Sequence, residues 1–139
     1  MIPDDLQMFA DIVNTAMDSP SELDAVLDVY GEESFRCRSL QGEDPIHFVL
    51  LEGDVGAAKR LLDVGFVLDG VNKSGGHVLA LSAELGLMDS VRFLLDLGVS
   101  KDRTDEFGFT GCQLAREAGY DFLASILEPK KGQHRTPPS

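Results

Sequence analysis

The chain has 139 residues, 43% of them hydrophobic and 26% charged, a balance that belongs to folded proteins and excludes a disordered chain. No apolar run approaches the roughly 18 residues of a membrane span, and the two cysteines and three histidines lack the spacing of a disulfide framework or a zinc site. The formal net charge of −12 disfavours direct nucleic-acid binding and favours fast association with a basic partner, although acidity also serves solubility alone.

The N-terminus, MIPDDLQMFADIV, is acidic and has neither a basic region nor a small-residue cleavage site. No secretory signal is expected, and the cytosol is the default compartment. Leu6, Phe9, Ile12, Val13 and Ala16 then fall at helical spacing. SPSELDAVLDVYG follows, with Ser19 or Ser21 ahead of acidic residues as a capping box and with Leu23, Val26 and Leu27 on one side. Residues 1–36 therefore read as two helices closed by Gly31. They are either a degenerate first unit that caps the rest or a separate helical hairpin.

From residue 42 onward the chain repeats itself. Gly42, Gly75 and Gly108 stand 33 residues apart, as do Gly53, Gly86 and Gly119, and Leu61, Leu94 and Leu127. Gly65 and Gly98 keep the same step. A fixed period with two short helices per unit marks a repeat array. In each unit a first helix of about eight residues ends at a glycine, where a left-handed residue closes the turn at little cost. A second helix, such as SVRFLLDLG with Val91, Leu94 and Leu95 on one face, ends at another. The linking stretch DGVNKSGG is polar and suits a projecting hairpin-like loop. Two such helices cannot bury their apolar faces alone, so neighbouring units must do it, and a single unit cut from the chain should be unfolded.

These residues resemble the ankyrin repeat over residues 39–128. The second unit supplies Gly42, Asp44, Pro45, Ile46, His47 and Gly53; the third supplies Gly75, Leu79, Ala83, Gly86, Val91, Leu94, Leu95 and Gly98; the fourth supplies Gly108, Thr110, Ala115, Gly119 and Leu127. The resemblance implies an all-α solenoid of stacked helix pairs with projecting loops or β-hairpin fingers. Its units would be 39–71, 72–104 and 105–128 within a 37–128 array. The four-residue box that opens an ankyrin unit reads DPIH, HVLA and TGCQ here, so it is never complete. Asp44 and Thr110 can still cap a helix, whereas His77 is a poor substitute and predicts a looser turn. The last unit runs into Glu128 and Pro129 without a closing glycine, as a terminal cap would. The tail 129–139 has no apolar periodicity and is expected to be disordered and basic. Without its Lys130, Lys131 and Arg135, the remainder carries 24 acidic against 9 basic groups, a net of −15.

No enzyme constellation emerges. His47 falls where the resemblance implies a structural hydrogen bond to an adjacent loop, and Cys112 falls where it calls for leucine, so both read as structural. Cys37 likewise reads as a buried free thiol. Gly75-Gly76 is not followed by the lysine and hydroxyl of a phosphate-binding loop. The chain is expected to be non-catalytic, without cofactor or metal.

Recognition of another protein is what the resemblance implies, through a concave groove of loops and first-helix ends. The loop side would present Leu40, Gln41 and Glu43, then Lys73, Ser74 and Gly76, then Glu106, Phe107 and Phe109. The helix ends would add Leu51 and Glu52, then Glu84 and Leu85, then Glu117 and Ala118. Glu52, Glu84 and Glu117 would form an acidic row, and Phe107 and Phe109 an apolar tip, each set against a plainer alternative of solvated face or internal packing. The expected function is a small acidic inhibitor or immunity-type protein, monomeric alone, that masks a basic effector or toxin; the compact array leaves no second domain to which a captive would be delivered. The alternative is an adaptor or assembly factor bridging two proteins, which would draw on the basic tail.

Overall fold

The computed structural model describes residues 5–39, 43–68, 76–105 and 107–128. Among these the chain is all-α, with eight α-helices and no strand beyond one isolated antiparallel bridge between Thr104 and Thr110. The helices are α1 (Asp5–Asp18), α2 (Leu23–Tyr30), α3 (Pro45–Leu51), α4 (Val55–Asp63), α5 (Gly76–Glu84), α6 (Met88–Asp96), α7 (Gly111–Glu117) and α8 (Asp121–Leu127). Short 3₁₀ segments, Pro20–Glu22 and Gly31–Arg36, flank α2. Helices of seven to nine residues, as all but α1 are, are marginal alone in water and depend on their buried faces.

The 33-residue step is written in the backbone. Helices α3, α5 and α7 end at Leu51, Glu84 and Glu117, while α4, α6 and α8 begin at Val55, Met88 and Asp121. Each intervening turn repeats the same hydrogen bonds. Gly53, Gly86 and Gly119 donate to the carbonyls of Leu50, Ala83 and Arg116 at 3.0–3.1 Å. Asp54, Leu87 and Tyr120 donate to Val49, Ser82 and Ala115 at 2.8–2.9 Å. That pair of bonds satisfies the orphan carbonyls of the first helix, and it needs a left-handed residue at the glycine. The three glycines have φ of 82°, 75° and 92°. Gly65 and Gly98 close α4 and α6 in the same way.

The helix starts are capped by side chains. Asp44 accepts from the His47 N–H at 2.8 Å, with Pro45 filling the position that needs no donor. Thr110 and Gln113 form a reciprocal capping box on α7. Asp54 caps α4 by accepting from Ala57 N–H at 2.9 Å, a role that the repeat pattern did not single out. The expected serine capping box ahead of α2 does not form. Ser19 precedes the 3₁₀ turn at Pro20, and its hydroxyl makes no cap bond; its carbonyl instead accepts from Glu22 N–H at 2.9 Å.

Packing joins the pairs into one core. Helix α1 lies against α2, α3 and α4; α3 packs on α5, α5 on α7, and α4 on α6. Ile12, Ile46, Leu50, Leu61, Leu79, Leu94 and Leu127 are fully buried in a single continuous cluster. Phe9 of α1 meets Phe48 of α3 edge-to-face at 5.5 Å, and Arg60 of α4 donates to the free Ala16 carbonyl in the last turn of α1 at 2.9 Å. Helix α1 ends at Asp18, 33 residues before Leu51, so the N-terminal pair keeps the step although Pro20–Glu22 replaces the glycine turn. Ser90 of α6 donates to the Leu50 carbonyl of α3 at 2.7 Å, a buried bond between neighbouring pairs. Where α7 crosses α5, a Cβ at Gly111 would stand 3.3 Å from that of Ala83, so the absent side chain permits the close approach.

The linking stretch 69–75, the His77 side chain and the tail 129–139 lie outside the described residues.

Candidate functional site

The loop before α7 is built around one carboxylate. Asp105 Oδ1 accepts from the backbone N–H groups of Phe107 and Phe109, each at 2.9 Å. The Asp105 N–H donates to the Phe109 carbonyl at 2.9 Å, and Gly108 N–H to the Asp105 carbonyl at 3.1 Å. Gly108 makes the reversal at φ 89°, and the Thr104–Thr110 bridge closes the base. The loop therefore holds its shape without burying its aromatic rings: Phe107 is 76% and Phe109 48% exposed. Internal packing, the plainer alternative for both phenylalanines, is not what the structure shows.

Phe109 turns toward an open depression of about 770 Å³ lined with Glu84, Gln113, Leu114, Arg116 and Glu117. Three expected residues are thus brought together, Glu84 and Glu117 from the adjacent helices α5 and α7 and Phe109 from the loop before α7. Glu84 and Glu117 occupy equivalent positions, each the last residue of its helix, and both are exposed. Glu52 does not complete their row. The residue in that register is Leu51, half-buried at the end of α3, and Glu52 lies one position on, about 100° around the helix. Its equivalent is Leu85, 54% exposed, and then exposed Ala118. The in-register row is therefore Leu51, Glu84, Glu117.

Glu43 is half-buried, with its carboxylate 3.6 Å from His47 Nε2 and its Oε1 3.2 Å from the Ser39 hydroxyl, so its described contacts are within its own segment. Leu40, Gln41, Lys73, Ser74 and Glu106 lie outside the described residues. A second depression, of about 800 Å³, lies at the other end of the molecule and is lined by Asp24, Asp28, Glu32 and Asp63 around Leu27 and Phe35. The period offered no hint of it, because its residues come from α2, the following 3₁₀ segment and the end of α4.

The two thiols are free and buried. Burial pushes the Cys37 thiol up to about 11, which keeps it protonated and unreactive near neutrality. Cys112 Sγ lies 3.4 Å from the Ala124 carbonyl and 3.5 Å from Arg116 Nη1, a guanidinium and not a base. Among the described residues no group of three or more His, Cys, Asp or Glu is placed to hold a metal ion, and no helix is long and apolar enough to cross a membrane. No family model matches the chain, and no curated protein is significantly similar to it.

Proposed function

We propose that this chain is an ankyrin-type array and a non-catalytic protein-binding module, whose loop and first-helix ends grip a basic partner. Within that class the reading is a small acidic inhibitor or immunity-type protein that masks a basic effector or toxin. The carrying observation is the pair of exposed phenylalanines on a loop ordered by Asp105, beside the exposed carboxylates of Glu84 and Glu117. Aromatic anchors next to charge are what binding hot spots are made of. A loop already held in shape loses little entropy on binding. The 33-residue repetition of helix ends and left-handed glycines supports the array assignment. Net charge of −12 would steer a cationic surface toward the molecule and make association salt-dependent.

The test is capture from native lysate at low and high salt, identification of the partner by mass spectrometry, and titration of the purified partner. Phe107→Ala, and separately Glu84→Lys with Glu117→Lys, should each weaken binding by about 2 kcal/mol while the thermal midpoint holds. Glu52→Lys should matter less. Full affinity in both variants would place the interface elsewhere. An adaptor would instead yield two distinct partners, one of them lost on deletion of residues 129–139.

A further inference from the structure

We infer that the depression between α5 and α7 is a socket for a single arginine side chain of the partner, an inference that rests on the protein-binding reading and names the chemistry of its ligand. Four polar side chains line it: Glu84, Gln113, Arg116 and Glu117. Two are committed elsewhere. The Gln113 side chain accepts from the Thr110 backbone N–H at 2.8 Å to complete the cap of α7. Arg116 holds Glu128 at 2.8 Å through Nη2 and leans on Cys112 Sγ through Nη1. Its charge is therefore directed at the α8 side. Glu84 and Glu117 make no hydrogen bond or ion pair among the described residues. Two uncommitted carboxylates thus face a space whose remaining walls are Phe109 and Leu114.

Charge complementarity selects a cation, and the apolar walls select one with an apolar stem. A guanidinium fits better than an ammonium. It is planar and weakly hydrated, presents donors on several edges so that two carboxylates can share it, and stacks on an aromatic face. A lysine ammonium is a compact, strongly hydrated point charge with less to gain from Phe109. The occupant is a loop or extended segment of a basic protein that presents one arginine, with Phe107 covering apolar surface beside it.

The experiment titrates the ¹⁵N-labelled full chain with N-acetylarginine amide, using the lysine and citrulline analogues as controls. The arginine probe should move the resonances of Glu84, Phe109 and Glu117 saturably, with a dissociation constant on the order of 1 mM. The lysine probe should bind about fivefold more weakly, and neutral citrulline should leave these resonances still. Glu84→Gln should weaken the arginine response about tenfold. No saturable response, an equal response to lysine, or equal movement at the acidic depression of Asp24, Asp28 and Asp63 overturns the socket, the last because it would mark unselective attraction to an acidic surface. A partner protein bound through Phe107 with the arginine probe silent overturns the socket alone and leaves the protein-binding reading standing. A socket filled by the probe, with no protein captured from lysate, upholds the socket and overturns that reading.

Discussion

Asp105 spends its carboxylate on two backbone donors, those of Phe107 and Phe109, and its own N–H on the Phe109 carbonyl. An aspartate is short enough to bond backbone two to four residues on, so it shapes a loop that has no core beneath it. Asp105→Ala should leave the helices intact and free the two amides. Hydrogen exchange at Phe107 and Phe109 should then quicken about tenfold or more, with little change in global stability. Unchanged exchange would mean that Gly108 and the Thr104–Thr110 bridge hold the loop unaided. Nothing in the repeat pattern marks Asp105, because the residues it bonds are local but their exposure is not.

At the scale of elements, the turns between paired helices carry the period. Glycines 53, 86 and 119 share one left-handed conformation, yet their surroundings differ. A Cβ at Gly53 would have Leu87 Cδ2 as its nearest neighbour at 3.7 Å, an ordinary contact, whereas at Gly86 it would stand 2.6 Å from Tyr120 Cζ. Gly53→Ala should therefore cost about 1–2 kcal/mol, the penalty of a left-handed alanine. Gly86→Ala should cost more, by whatever it takes to displace the half-exposed Tyr120 ring. Combining it with Tyr120→Ala should bring the added cost of the glycine change back to the Gly53 value. Urea unfolding of five proteins, the parent, the three single variants and the double variant, measures this. Equal costs for Gly53→Ala and Gly86→Ala would mean that the ring swings aside freely. The N-terminal pair lacks this turn: Pro20 stands where a glycine would fall, and the 3₁₀ segment does the work without a side-chain cap. That is why the first pair is poorly legible in sequence although it keeps the spacing.

For the molecule as a whole, burial at one junction sets a pH limit. Cys37 is packed in the common core, and burial raises its thiol from 9.0 to about 11. The unfolded chain therefore loses this proton first. The stabilisation is present in full below pH 9, and it declines as pH rises from 9 through 11. Urea midpoints measured across that window should fall with pH. Cys37→Ala, at some cost in packing, should flatten the part of the slope that comes from the thiol. An identical slope in the variant would assign the loss to other groups. Tyr30 belongs among these, since its hydroxyl donates to Asp11 and that bond raises its pKa, so that it too holds its proton more tightly in the folded chain.

The sequence by itself determined the period, the paired helices, the left-handed glycines and the caps at Asp44 and Thr110. The period is read directly from residue spacing, and the glycine turns and caps are decided by backbone sterics and hydrogen bonds spanning at most six residues, which a linear reading can see. It also marked Glu84, Phe109 and Glu117 as surface candidates, though not that they share one depression. That Leu51 and not Glu52 heads the glutamate register follows from the 33-residue step itself. Tertiary structure alone decided that Phe107 and Phe109 stay uncovered, and that Arg116 turns toward Glu128 and leaves two carboxylates uncommitted. Those outcomes depend on which atoms from distant positions arrive to compete for a contact, and only packing settles that competition.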